Sequence, residues 1–131
     1  GSIMAEIRAS SISNLAGTGP IDLEYQSAAK AWGNLNGTGT IALRDSFNVS
    51  SVTDNGTGDY TFSYTSNMAN GNYMVGGAGE HNQDSYTAIP MVFGDTAPVT
   101  GSIKMQSLTT ASSPNFIDLR YFYMSIHGDL A

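Results

Sequence analysis

The sequence predicts an all-β fold, an antiparallel β-sandwich of jelly-roll-like character with about eight short strands. Three observations predict it. In Tyr60-Thr61-Phe62-Ser63-Tyr64-Thr65 every second side chain is aromatic and the others are small hydroxyls. That period of two marks a strand with one face on a core. Two Asn-Gly-Thr-Gly segments, at 36–39 and 55–58, are flanked by alternating runs of this kind. Asn-Gly between such runs signals a hairpin, because both turn residues must accept positive φ. Last, 15 glycines, only 12% charged residues and a rich supply of Ser, Thr and Asn suit short strands and tight turns. No long helical periodicity competes with them.

The elements follow in order. Ile3, Ala5, Ile7 and Ala9 alternate loosely, with Ile12 out of step. Residues 1–26 therefore read as an N-terminal arm or edge strand, with Gly1-Ser2 a cloning scar, and 27–131 as the sandwich domain. Ala16-Gly17-Thr18-Gly19-Pro20 is a turn. Residues 26–30 are the best helix-forming run, one turn long and stopped by Gly33. Trp32, the single tryptophan, reads as a core plug or an interface anchor. Ile41 and Leu43 share one face of a strand over 40–44. Phe47, Val49 and Val52 make the next, with Ser46, Asn48 and Ser50 facing out. After the strand at 60–65 and a turn from Met68 to Gly71, Tyr73 and Val75 alternate in another. Gly76-Gly77-Ala78-Gly79 predicts a bulge or a close backbone approach. A polar loop follows over 80–86. Pro90 makes the apolar run at 88–93 an edge strand or bulge. In 100–108, Ile103 and Met105 lie opposite Ser102, Lys104 and Gln106, and 109–115 is a polar loop.

The closing segment, 116–127, reads as the longest strand. One face carries Ile117, Leu119, Tyr121 and Tyr123; the other carries Phe116, Phe122, Met124 and Ile126. A strand apolar on both sides is covered on both sides. A sandwich covers only its inner face. A neighbouring subunit is the economical cover for the surplus face, since exposed apolar area of that size promotes association.

Composition excludes several classes. The net charge of −6 comes from 11 acidic residues against 5 Lys and Arg. No basic stripe exists to follow a nucleic-acid backbone. The acidic balance also disfavours an anionic membrane surface, and no apolar run is long enough to cross a bilayer. Without cysteine there is no disulfide framework, no Cys-containing zinc site and no thiol nucleophile. A small domain without staples gains burial by oligomerising.

The residues give no catalytic pattern. His81 and His127, the two histidines, sit in no H-E-x-x-H motif, and no Gly-x-Ser-x-Gly elbow occurs. The acids are scattered in turns rather than paired across a groove, and no glycine-rich loop leads into a helix. The reading is therefore not an enzyme, with no cofactor and no metal. Asp54-Asn55-Gly56-Thr57-Gly58-Asp59 has an oxygen-rich look but lacks the length and bidentate Glu of an EF-hand. His127 offers one outside route to a metal, if three copies brought it to a shared axis. The polar loops at 80–86 and 109–115 are candidate recognition loops. Within the first, Glu80, His81, Asn82, Gln83, Asp84 and Tyr86 are side chains suited to sugar hydroxyls. Asn36, Asn48 and Asn55 lie in N-x-Ser/Thr sequons that turn composition alone explains.

The order Ala-Lys-Ala-Trp at 29–32, Asn-Gly-Thr-Gly at 36–39, the run Arg-Asp-Ser-Phe-Asn-Val at 44–49 and Asp-Asn-Gly-Thr-Gly-Asp-Tyr at 54–60 resembles a β domain common in tailed-bacteriophage virion proteins. These are tail-fibre, needle-knob and appendage proteins. The resemblance is densest over 27–66 and extends to 16–19 and the closing strand; 76–115 matches nothing in it. Family members often carry Val or Phe where this chain has Gly33 and Leu35, a departure that affects packing. The motifs are structural, so the resemblance implies a particle part more firmly than an activity. It implies a homotrimeric knob on the virion surface, a tail fibre or needle knob contributing to host attachment. Its partners would be other virion proteins and a host-surface glycan or protein. Trp32, Tyr121, Tyr123, Met124 and Ile126 are the expected trimer interface, and the 80–86 loop the expected receptor contact. With Met4 as a native start, such a protein attaches to its particle by itself. A decoration or head-fibre protein with no receptor is the alternative, and a glycan-active enzyme the third reading.

Overall fold

The computed structural model describes residues 5–6, 8–13, 15–17, 24–80, 88–92 as backbone, 96–110, 113 and 115–131. Eight strands run through them: β1 (Ala31–Asn36), β2 (Ala42–Phe47), β3 (Val49–Gly56), β4 (Asp59–Tyr64), β5 (Met74–Glu80), β6 (Ala88–Val92), β7 (Ser102–Thr109) and β8 (Tyr121–His127). They form two four-stranded antiparallel sheets, ordered β2-β1-β8-β5 and β3-β4-β7-β6. The all-β sandwich read from the sequence is the fold of the protein. The β1–β8 pairing encloses the β4–β7 pairing along the chain, as in a rolled ribbon. The β1–β2 and β3–β4 hairpins, each within one sheet, depart from a strict jelly roll.

Alternation dictates the core. Tyr60, Phe62 and Tyr64 of β4, Ile103 and Met105 of β7, Leu35 of β1, and Phe122, Met124 and Ile126 of β8 are buried between the sheets. Phe122 meets Tyr60 edge-on, with centroids 5.5 Å apart, and Phe62 at 5.9 Å, separations typical of paired rings in cores. Ile41, Leu43, Val49 and Val52 pack at the periphery.

Local expectations need five corrections. Residues 26–30 form no helix; one turn of favourable residues does not repay helix nucleation. Neither Asn-Gly-Thr-Gly segment puts its Asn at positive φ. Instead Gly39, Gly56 and Gly58 take those angles. Asn36 folds back, its Oδ1 accepting from Thr38 N at 3.1 Å and Thr38 Oγ1 at 2.7 Å. Phe47 ends β2 rather than beginning the next strand. Asn48, at φ 54°, carries the chain from one sheet to the other. Its side chain secures the crossing, Nδ2 donating to Lys30 O and Ser66 O and Oδ1 accepting from Ser66 N. The 76–79 run makes no bulge: β5 pairs with β8 residue for residue from Met74↔His127 to Glu80↔Tyr121. Finally, the closing strand starts at Tyr121, not at 116. Residues 117–119 cross the end of the sandwich, with Leu119 buried and Ile117 packed against the core.

That crossing is fixed by hydrogen bonds to both glycine turns. Gly37 N donates to Leu119 O at 2.9 Å, and Gly58 N to Asp118 Oδ1 at 2.7 Å. Tyr60 Oη donates to Asp118 Oδ1 at 2.6 Å, with Gly37 O also within reach at 3.1 Å. Pro90 falls in β6, at the edge of its sheet, where a missing N–H is tolerated.

Candidate functional site

Paired residues on neighbouring strands share a face, so the registers define the outer surface of the β2-β1-β8-β5 sheet. One row runs Phe47, Trp32, Ser125, Gly76; the next inward runs Asp45, Asn34, Tyr123, Ala78. His127 and Met74 flank the first row, and Tyr121 and Glu80 the second. Four large side chains on this surface remain open: Met74 at 60% exposure, Phe47 at 53%, Tyr123 at 40% and Trp32 at 37%.

The far half of the face is an organised aromatic and cationic cluster. Tyr121 and Tyr123 are stacked with centroids 6.1 Å apart. The Arg44 guanidinium lies 4.1 Å from the Tyr121 centroid, and Arg120 lies 5.3 Å from it. Arg44 also donates to Asn34 Oδ1 at 3.3 Å, and Arg120 pairs with Glu80. These contacts hold rings and cations flat against the sheet, which lowers the entropy lost on covering them. Beside Tyr123, the small residues Gly76 and Ala78 leave a groove of about 250 Å³, completed by Gly77, Met124 and Ser125. His127 Nε2 is 3.1 Å from Ser125 Oγ.

On the opposite outer surface, the described residues of β3, β4 and the first half of β7 are polar. Ser51, Ser63 and Ser102 form one row, and Thr53, Thr61 and Lys104 another. Asp59 accepts from Asn55 at 3.1 Å and Gln106 at 2.7 Å and lies 3.5 Å from Lys104 Nζ. Among the described strand residues, the large exposed apolar side chains lie on the β2-β1-β8-β5 side.

Of the expected interface residues, the structure brings Trp32, Tyr121 and Tyr123 together on this outer face. Met124 and Ile126 lie inside the chain's own core and are corrected out of the surface. Alternation had separated them from Tyr121 and Tyr123, but both sets are apolar, and the expectation drew from both. Sequence reasoning missed Phe47, because the sheet change at Asn48 that turns it outward has no sequence signature. It also missed Met74, although the alternation of Tyr73 and Val75 placed Met74 opposite them. Of the expected receptor contacts, Glu80 sits at the end of β5 on this face; His81, Asn82, Gln83, Asp84 and Tyr86 lie outside the described residues. Asp54 and Asp59 serve turn and sheet hydrogen bonds. Among the described residues, no three His, Asp or Glu side chains form a group that could hold a metal ion. No helix among them is long and apolar enough to cross a membrane.

Compared with family models, curated proteins and solved structures, the chain has no match.

Proposed function

We propose that this chain is a structural component of a bacteriophage particle, a homotrimeric tail-fibre or needle knob that contributes to host attachment. The observation that carries the assembly part is the exposed aromatic face of the β2-β1-β8-β5 sheet. Trp, Tyr, Phe and Met are the residues enriched at subunit contacts, with charges at the rim. Here Trp32, Phe47, Tyr123 and Met74 are flanked by Asp45, Glu80 and Arg120. Closed rotational symmetry covers such a patch on every copy. The particle role is supported by the motif order at 29–60. In this reading Glu80 stands at the margin of the interface, and three copies would present three weak receptor sites at once.

Solution mass by light scattering tests the assembly. The expectation is a multiple of the 13.8 kDa chain at micromolar concentration, and monomer from a Trp32→Ser/Tyr123→Ser variant that keeps its wild-type circular dichroism. A wild-type monomer sinks the proposal. Glycan-array and bacterial-cell binding by the oligomer test the attachment role; binding to neither leaves a purely structural virion part.

A further inference from the structure

The chain carries a second uncovered apolar surface, on the segment that leads into β1. Ile12 is 70% exposed, Tyr25 98%, and Leu15 is fully open. Every described residue of that segment up to Gln26 is exposed, and none is in a strand. One exposed Leu is ordinary in a folded protein. Three large apolar side chains that no described residue covers need cover of their own.

The segment leaves the body beside the aromatic face. Lys30 N donates to Ile126 O at 2.7 Å, and the next residues are Ala31 and Trp32. Two grooves border this exit and the face beyond it. One, of about 300 Å³, is lined by Lys30, Phe47, Asn48, Thr65, Ser66 and Leu130. The other is the 250 Å³ groove beside Tyr123. Both are at or below the small end of pockets for free ligands, and each suits a single anchoring side chain. Among the described residues Arg44 has no ion pair, and Glu24 of the segment supplies a matching charge. Reach is ample: the 16 residues between Leu15 and Ala31 extend about 50 Å, whereas four strands span roughly 15–20 Å. The exposure of Ile12, Leu15 and Tyr25 shows that these side chains do not rest on their own sheet.

We propose arm exchange: the segment before β1 of one copy lies across the β2-β1-β8-β5 outer face of a neighbouring copy, anchored by Ile12, Leu15 and Tyr25. The proposal rests on the reading that copies associate through this face. It makes the face half of a heterologous contact, arm into sheet, of the kind that forms a ring when the rotation between copies closes.

The test uses the full chain carrying Ile12→Asp and Leu15→Asp, both far from the core, beside the Trp32→Ser/Tyr123→Ser variant. Arm exchange predicts that the arm variant loses at least about tenfold in association affinity, the scale of two anchor side chains. Its Tm as a monomer stays unchanged, and its Trp32 emission shifts to the red. An arm variant that associates like wild type, while the face variant dissociates, overturns arm exchange and leaves the face as an interface. A monomeric wild type overturns both. A monomeric wild type in which the arm variant still reddens Trp32 places the arm on its own sheet, which also overturns exchange.

Discussion

Tyr60, Tyr64 and Tyr73 look alike in the sequence, yet their hydroxyls meet different fates in the core. Tyr60 donates to Asp118 at 2.6 Å. Tyr73 reaches Val99 O at 2.9 Å and Ser102 O at 3.1 Å. Tyr64 is buried, edge-on to Tyr73 at 6.1 Å; the Tyr73 hydroxyl influences that of Tyr64, but among the described residues none lies at normal hydrogen-bond distance and angle from it. Removing a satisfied buried hydroxyl leaves its acceptor short, whereas removing an orphan relieves a desolvation cost. Tyr60→Phe should therefore destabilise by about 1–3 kcal/mol, and Tyr64→Phe should be neutral or stabilising by up to about 1 kcal/mol. Urea denaturation decides it: equal losses in the two variants would refute the assignment. Burial pushes all three phenols above their ordinary value of 10.0, and for Tyr60 the adjacent Asp118 carboxylate adds to it. The folded state thus favours the neutral phenol. That contribution is complete below about pH 10 and is lost as pH rises beyond it. Stability should fall progressively as pH rises above about 10, and less steeply in Tyr64→Phe. A fall of wild-type steepness in that variant would remove Tyr64 from the account.

At the scale of elements, the two Asn-Gly-Thr-Gly turns are identical in sequence and unequal in role. Both Gly39 and Gly58 hold positive φ, at 64° and 61°. A Cβ on Gly39 would meet open space; one on Gly58 would lie 2.7 Å from Ile117 N, Ile117 O and Ser107 O. Gly39→Ala should cost about 1–2 kcal/mol, the left-handed penalty alone. Gly58→Ala adds a clash with backbone that cannot swing away, so its loss should be about 2–4 kcal/mol. Equal midpoints in denaturant for the two variants would show that the 117–119 crossing yields to the added methyl. The sequence could place both hairpins, because turn chemistry is local. It could not separate their roles, because Ile117 and Asp118 arrive from about sixty positions away. The same crossing hid the start of β8. Residues 116–120 alternate well enough to read as strand, but Phe116 makes an isolated bridge to Leu108, Ile117 bonds to Ser107, Asp118 to Gly58 and Tyr60, and Leu119 to Gly37.

For the whole molecule, alternation made the sandwich legible and sorted the closing strand into two sets, Tyr121 and Tyr123 against Phe122, Met124 and Ile126. A period of two states which residues lie together, not which set meets the core. Packing decided that: Phe122 fits between Tyr60 and Phe62, and the tyrosines stack outside under Arg44. A molecule with an exposed aromatic outer face should show mass-action stability. If copies cover the aromatic side, unfolding is coupled to dissociation, and each tenfold dilution weakens the folded state by on the order of 1 kcal/mol per chain. For a chain of 131 residues that is a drop in Tm of several degrees. Trp32→Ser with Tyr123→Ser should abolish the concentration dependence and converge on the wild-type Tm at high dilution, since neither side chain is in the core. Phe62→Ala should instead lower Tm at every concentration, by a core loss of about 3–5 kcal/mol. A wild-type Tm that does not move over a hundredfold dilution would mean that water, not a sister copy, covers Trp32, Tyr123, Phe47 and Met74.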